Sequence, residues 1–132
     1  LKTTFFEKKL TRQINSESLW PCQSKINGFE IHNGQTEIDK TQKSFKIKPI
    51  FKDLDLGWYK ENNGSGTIAG TYIHGIFEND SWRDQYINLI RKSKNLPLLK
   101  KKSISYKKKR ESIIDNLANE FQKHLNLKSL LS

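Results

Sequence analysis

Few side chains in these 132 residues could do covalent chemistry: three histidines (His32, His74 and His124), one cysteine (Cys22) and 14 carboxylates. His74 has the setting that a general base requires. It follows the most β-prone and least charged stretch of the chain, residues 67–73 (TIAGTYI), which predicts a buried strand. Gly75 comes next and lets backbone approach closely. In open α/β sheets, functional groups sit where a strand ends and the chain turns toward a helix. The competing reading of His74 is a histidine satisfied within the fold. Cys22 follows Pro21 in a connecting segment and has no neighbour that would activate a thiol, so an inert cysteine is expected there. The histidines and Cys22 share no ligand spacing of the C-x-x-C or H-x-x-x-H kind, so no metal site is expected. The run Gly64-Ser65-Gly66 lacks the lysine and helix of a phosphate-binding loop and reads as a turn.

The elements that must position His74 follow from periodicity. Residues 3–14 alternate apolar and polar side chains well enough for one or two strands, and Trp20-Pro21-Cys22 then breaks the pattern. Residues 26–38 form a second strand region in which Phe29 and Ile31 face one way and Glu30 and His32 the other. Residues 44–51 alternate again, with Pro49 confining that strand to an edge or an end. After His74, either Asn79 or Asp80 can cap a helix over residues 81–92, with Trp82, Tyr86, Leu89 and Ile90 on its apolar face. A basic segment over residues 100–110 leads to a second amphipathic helix, packed by a stripe of Ile113, Ile114, Leu117, Ala118, Phe121 and Leu125. Strands followed by helices predict an α/β or α+β fold.

Composition bounds the function. No apolar run approaches the ~20 residues of a membrane-spanning helix, so no membrane partner is expected. One cysteine cannot form an internal disulfide, which favours a reducing, cytoplasmic compartment. The chain carries a net charge of +10, and clustered cations can bind phosphates. Yet 20 Lys, 11 Asn and 14 Ile account for 45 of the residues while Ala occurs only at Ala69 and Ala118. A genome rich in A/T codons produces that skew without selection for nucleic acid. Arg, the residue suited to bidentate phosphate contacts, occurs four times. No nucleic-acid partner is therefore expected. The absence of Met, with Leu at position 1, leads us to expect that the chain lies inside a longer reading frame.

Three ordered motifs then take on a family likeness. Thr3-Thr4-Phe5 with residues 9–13 (KLTRQ) comes first, and Gly28-Phe29-Glu30-Ile31-His32-Asn33-Gly34 second. The third is Gly70-Thr71-Tyr72-Ile73-His74-Gly75-Ile76-Phe77-Glu78-Asn79-Asp80. Together they resemble the second half of the C-terminal glutamine amidotransferase domain of the cobyric acid synthases. The continuation Glu78-Asn79-Asp80 separates these from relatives that share only G-T-Y-x-H-G, and the Leu96-Pro97 break and the closing helix are similar too.

The resemblance implies an α/β, flavodoxin-like class I amidotransferase sheet with C-terminal helices. Residues 1–96 would be the C-terminal half of the sheet domain, and residues 97–132 a basic linker and amphipathic helix of the same domain. It implies that His74 is catalytic and that the nucleophile is a cysteine outside this chain, Cys22 lying in no matching context. The chain alone would then be inactive. Glu30 and His32 are candidates for the vicinity of the site, and Ile76 occupies the position where many relatives carry a Glu that orients the histidine. The implied enzyme uses glutamine and ATP with Mg²⁺ to amidate corrin-ring carboxylates in cobalamin biosynthesis, the segment itself binding no cofactor. Its partners would be the ATP-binding domain, the nucleophile-bearing half of the amidotransferase domain and a corrinoid substrate. Without half of a parallel sheet, the chain should expose an unpaired edge and an apolar patch. The alternatives are a non-catalytic basic module that binds nucleic acid, and an amidotransferase subunit serving another acceptor.

Overall fold

The computed structural model describes residues 1–38, 46–62, 66–100 and 104–125. Strand β1 (Lys2–Thr4) pairs with β4 (Gln35–Glu37). Strands β2 (Leu10–Ser18), β3 (Ser24–His32) and β8 (Ile73–His74) make a three-stranded sheet in that order. Strands β5 (Lys48–Pro49), β6 (Gly57–Asn62) and β7 (Gly66–Thr71) make another. A 3-10 turn (Ile76–Glu78), helix α1 (Asp80–Ser93) and helix α2 (Tyr106–His124) complete the order. The α/β class stands, with both helices after the strands. Every pair among these strands is antiparallel. For β2–β3 and β6–β7 the connections explain this, because the few residues between them are too short for the crossover that parallel pairing requires.

The two three-stranded sheets meet at a seam. Ser18 bridges Phe51, Leu19 N–H donates to Ile50 O at 2.7 Å, and Lys52 N–H donates to Glu17 O at 3.0 Å. The core lies along that seam, where Ile14, Trp20, Ile26, Ile50, Phe51, Leu56, Ile73, Ile76 and Trp82 are buried together. Trp20 stacks on Tyr59 at 4.9 Å between ring centroids and meets Trp82 edge-on at 6.3 Å. The Trp82 indole N–H donates to Trp20 O at 3.0 Å, so the one polar atom of that buried ring is satisfied.

Several expectations need correction. Residues 67–73 are not one buried strand. Residues 66–70 of β7 are exposed, Ile68 by 68%, because β7 pairs only with β6 and nothing described here covers its face. The chain changes sheets at Tyr72, and burial begins only at Ile73. On α1, Trp82 is buried and Tyr86 half-buried, but Leu89 and Ile90 at its far end are exposed. The α2 stripe is not packed, with Ile113, Ile114, Leu117 and Phe121 each more than half exposed. Those open faces are the apolar surface expected of the chain. Of the expected turn at residues 62–66, positions 63–65 lie outside the described residues, as do residues 44–45, 101–103 and 126–132 of the other segments named above. No helix among the described residues is long and apolar enough to cross a membrane.

One carboxylate ties the helices together. Asp80 Oδ1 accepts from Tyr106 N–H and from Arg83 Nη2, each at 3.0 Å. The Tyr106 backbone bond, then Ser105 and Arg83, hold the Asp80 carboxyl below its ordinary value of 3.8. A carboxyl whose folded pKa is lowered stabilises the fold fully above its ordinary value and loses that contribution as pH falls through the lowered one. The attachment of α2 to α1 should therefore be pH-independent near neutrality and fail on acidification below about 4, as read by amide exchange at Tyr106; Asp80→Asn should abolish that acid transition. Trp82→Ala should cost about 3–5 kcal/mol in a denaturant titration, whereas Ile113→Ala on the exposed stripe should stay within about 0.5 kcal/mol.

Candidate active site around His74

The segment that delivers His74 is shaped residue by residue. Thr71 makes the joint between sheets: its hydroxyl donates to Leu56 O at 2.9 Å and accepts from Ile73 N–H at 3.0 Å. Tyr72 N–H donates to Leu56 O at 2.8 Å. The Tyr72 hydroxyl lies 2.8 Å from Thr36 Oγ1, which in turn lies 2.8 Å from Thr3 Oγ1. Ile73 is the core anchor, and His74 beside it is exposed. The chain then turns at Gly75 with φ +79, a left-handed conformation that glycine adopts at no steric cost. Ile76 is buried beyond the turn, which pins the far side of the loop to the core.

Strand β8 pairs with β3 through only two positions, Phe29 with His74 and Glu30 with Ile73. Gly28 permits that approach, since a Cβ there would stand 2.5 Å from His74 O and 2.4 Å from Ile73 Cγ2. Residues directly opposite in an antiparallel pair project from the same face, and successive residues from opposite faces. His74 therefore shares a face with Phe29 and Gln13, while Glu30 and His32 share the other with Ile73 and Arg12. A cleft of about 320 Å³ beside the turn is lined by Gln13, Phe29, Gly75, Glu78, Asn79 and Arg110, among others.

The expected alternation in β3 is present. Its carboxylate faces inward, Glu30 being 2% exposed, while Phe29 is 52% exposed. Arg12 Nε donates to Glu30 Oε2 at 2.5 Å, which supplies the partner that a buried carboxylate requires. The His32 ring stacks on Tyr72 with centroids 4.6 Å apart. Its Nδ1 lies 3.4 Å from Glu30 Oε1 without hydrogen-bond geometry and has no hydrogen-bond partner among the described residues. The sheet thus brings Glu30 and His32 together with each other and with Arg12 and Tyr72, and it separates them from the His74 face.

Cys22 is remote from His74. It lies in the β2–β3 connection, beyond the pair of Ser18 with Ser24, whereas His74 stands opposite Phe29. Five residues of strand separate Ser24 from Phe29, roughly 16 Å at the usual rise. The thiol contacts Ser24 Oγ at 3.7 Å instead. No group of three His, Cys, Asp or Glu residues able to hold a metal occurs among the described residues.

Sequence reasoning missed Asn79 and Asp80 as joining residues, having taken either as a helix cap. Asn79 occupies the cap position of α1, yet its side chain makes no cap bond and reaches across to β3. The signal that could have found both was their place in the ordered motif after His74.

Residues 1–82, which contain His74, the β3 residues opposite it and the Gly75 turn, match the CobB/CobQ-like glutamine amidotransferase domain. The chain belongs to that family. Among its relatives, the cobyric acid synthase of Prochlorococcus marinus strain MIT 9215 is 83% identical over 132 residues, covering all of this chain and 26% of that protein. The cobyric acid synthase of strain AS9601 is 81% identical over the same span, and that of Synechococcus sp. strain CC9311 is 38% identical over 136 residues. The chain spans about a quarter of the length of these curated relatives. No solved structure matches it. The amidotransferase family is one of enzymes, and within the matched residues the run Gly70-Thr71-Tyr72-Ile73-His74-Gly75 shapes the joint between the sheets, the His74 strand end and the Gly75 turn.

Two substitutions test this construction of the site. Gly28→Ala should push β8 away from β3, seen as loss of amide-exchange protection at Ile73 and His74 and as a lowered unfolding midpoint. Arg12→Ala should destabilise the chain by about 3–5 kcal/mol, the cost of leaving the buried Glu30 carboxylate without its cation, while leaving exchange across the Gly75 turn unchanged.

Proposed function

We propose that this chain is part of a cobyric acid synthase, forming the C-terminal portion of its amidotransferase domain. The reaction is the amidation of corrin-ring carboxylates, converting adenosylcobyrinic acid a,c-diamide to cobyric acid in cobalamin biosynthesis. The observation that carries this reading is the 83% identity along the whole chain to a protein of that name, with His74 held at an exposed strand end. Residues 1–96 and 97–132 act as parts of one domain, a reading supported by the bond from Tyr106 N–H to Asp80.

In the mechanism His74 takes the proton from a cysteine thiol, and the thiolate attacks the side-chain carbonyl of glutamine. His74 then returns the proton to the departing nitrogen as ammonia, and water releases glutamate from the thioester. The thiol is supplied from outside these residues, a reading supported by the place of Cys22 in the β2–β3 connection, away from the Phe29–His74 pair. The isolated chain is then inactive as a glutaminase. ATP and Mg²⁺, which activate the corrinoid carboxylate, are handled elsewhere in the enzyme, and this segment binds neither. A cytoplasmic setting fits the lone free thiol. Against the reading as a basic nucleic-acid module, three of the five Lys and Arg residues of α2 already face carboxylates of this chain. Lys107, Arg110 and Lys123 lie within 4 Å of Glu111, Glu78 and Glu120 respectively.

The test replaces the matching segment of the full-length synthase of strain MIT 9215 with this chain. His74→Ala should lower glutamine-dependent amidation by about 10²–10⁴-fold, the usual worth of a positioned general base. Amidation supplied with free ammonium should persist, because it bypasses the histidine. Glutamine hydrolysis by the isolated chain should stay at background with or without Cys22→Ala. Hydrolysis that disappears with Cys22→Ala would sink the reading of the nucleophile.

A further inference from the structure

Strand β8 is two residues long and ends at His74, and the register of Phe29 with His74 would next set Gly28 opposite Gly75 and then Asn27 opposite Ile76. The chain has already left the sheet there, turning at Gly75 into the 3-10 turn. The backbone of Asn27 is nevertheless bonded. Its N–H donates to Asn79 Oδ1 at 2.8 Å, and Asn79 Nδ2 donates back to Asn27 O at 2.9 Å. The carboxamide of Asn79 thus makes the reciprocal pair of bonds that the N–H and C=O of one residue in a longer β8 would have made. The same Nδ2 donates to Ile76 O at 3.0 Å and reaches Gly75 O at 3.4 Å, so one side chain joins the β3 backbone to the loop that follows His74.

We propose that Asn79 is a positioning residue for His74, continuing the β3–β8 ladder with its side chain so that the imidazole is fixed at a two-residue strand end. This rests on the reading of His74 as the proton-transfer residue. The chemistry required of position 79 is specific: one acceptor and one donor in a plane, at the reach of a single methylene. Aspartate offers only acceptors near neutral pH and would face Asn27 O and Ile76 O with negative charge. Alanine offers nothing. Catalysis is sensitive to such support, since misplacing a catalytic group by about 1 Å can cost around 10²-fold.

The experiment uses the same full-length synthase carrying this chain, with glutamine and ammonium as alternative nitrogen sources. Asn79→Ala and Asn79→Asp should each lower glutamine-dependent kcat by about 10- to 100-fold. KM for glutamine should change less than about threefold, and ammonium-dependent turnover should be unchanged, the pattern of an interaction used in the transition state alone. In a His74→Ala background neither change should lower the residual rate further, because Asn79 acts through His74. If Asn79→Ala abolishes glutamine binding, the Asp variant, which keeps the side chain's size, decides. Wild-type kcat in both variants while His74→Ala is inactive overturns the positioning role and leaves the proposed function intact. A raised KM at unchanged kcat also overturns it, since Asn79 would then serve substrate binding. Retention of glutamine-dependent activity by His74→Ala overturns the function itself.

Discussion

Everything that makes this segment a candidate catalytic element depends on a short contact, the pairing of Ile73 and His74 with Glu30 and Phe29. Two residues of ladder hold little by themselves, and the surrounding sequence compensates on every side. Gly28 removes the Cβ that would collide with His74 O. Thr71 fixes the approach through Leu56 O and Ile73 N–H, and Ile73 and Ile76 sink into the core on either side of the histidine. His74 stays exposed because its neighbours do the burying.

The face that His74 does not share is built on a different principle. Glu30 lies almost fully buried and is compensated by Arg12, and His32 stacks on the ring of Tyr72, whose hydroxyl is joined to Thr36. A buried charge is costly unless paired, so removing Arg12 alone is expected to hurt more than replacing both partners. This cluster couples β2, β3, β4 and the residue just before β8, which makes it a structural brace behind the histidine.

The large open surfaces fit the family relationship. The α2 stripe and the face of β7 are apolar and uncovered among the described residues, and the chain corresponds to about a quarter of each curated relative compared above. Asp80 fastens the start of α2 to α1, so the stripe is presented by an anchored helix.

Much of this was legible in the residues. The glycines, His74 and Asn79-Asp80 stand in an ordered motif, strand alternation in β3 follows from a period of two, and helix α1 falls within a residue of its expected ends. Local pattern sufficed there because period and turn chemistry are properties of neighbours in the chain. Which face of β3 is inside was not legible: apolar Phe29 points out and Glu30 in, because a guanidinium 18 positions away supplies the missing charge. Nor could local pattern reveal that residues 67–73 divide between two sheets, or that Asn79 turns from its own helix to bond Asn27, 52 positions earlier. The residues alone marked His74 as the candidate for proton transfer, at a strand end before a glycine turn. Which groups share its face was set by the folded chain, because burial and hydrogen bonding across strands depend on partners that no local pattern identifies.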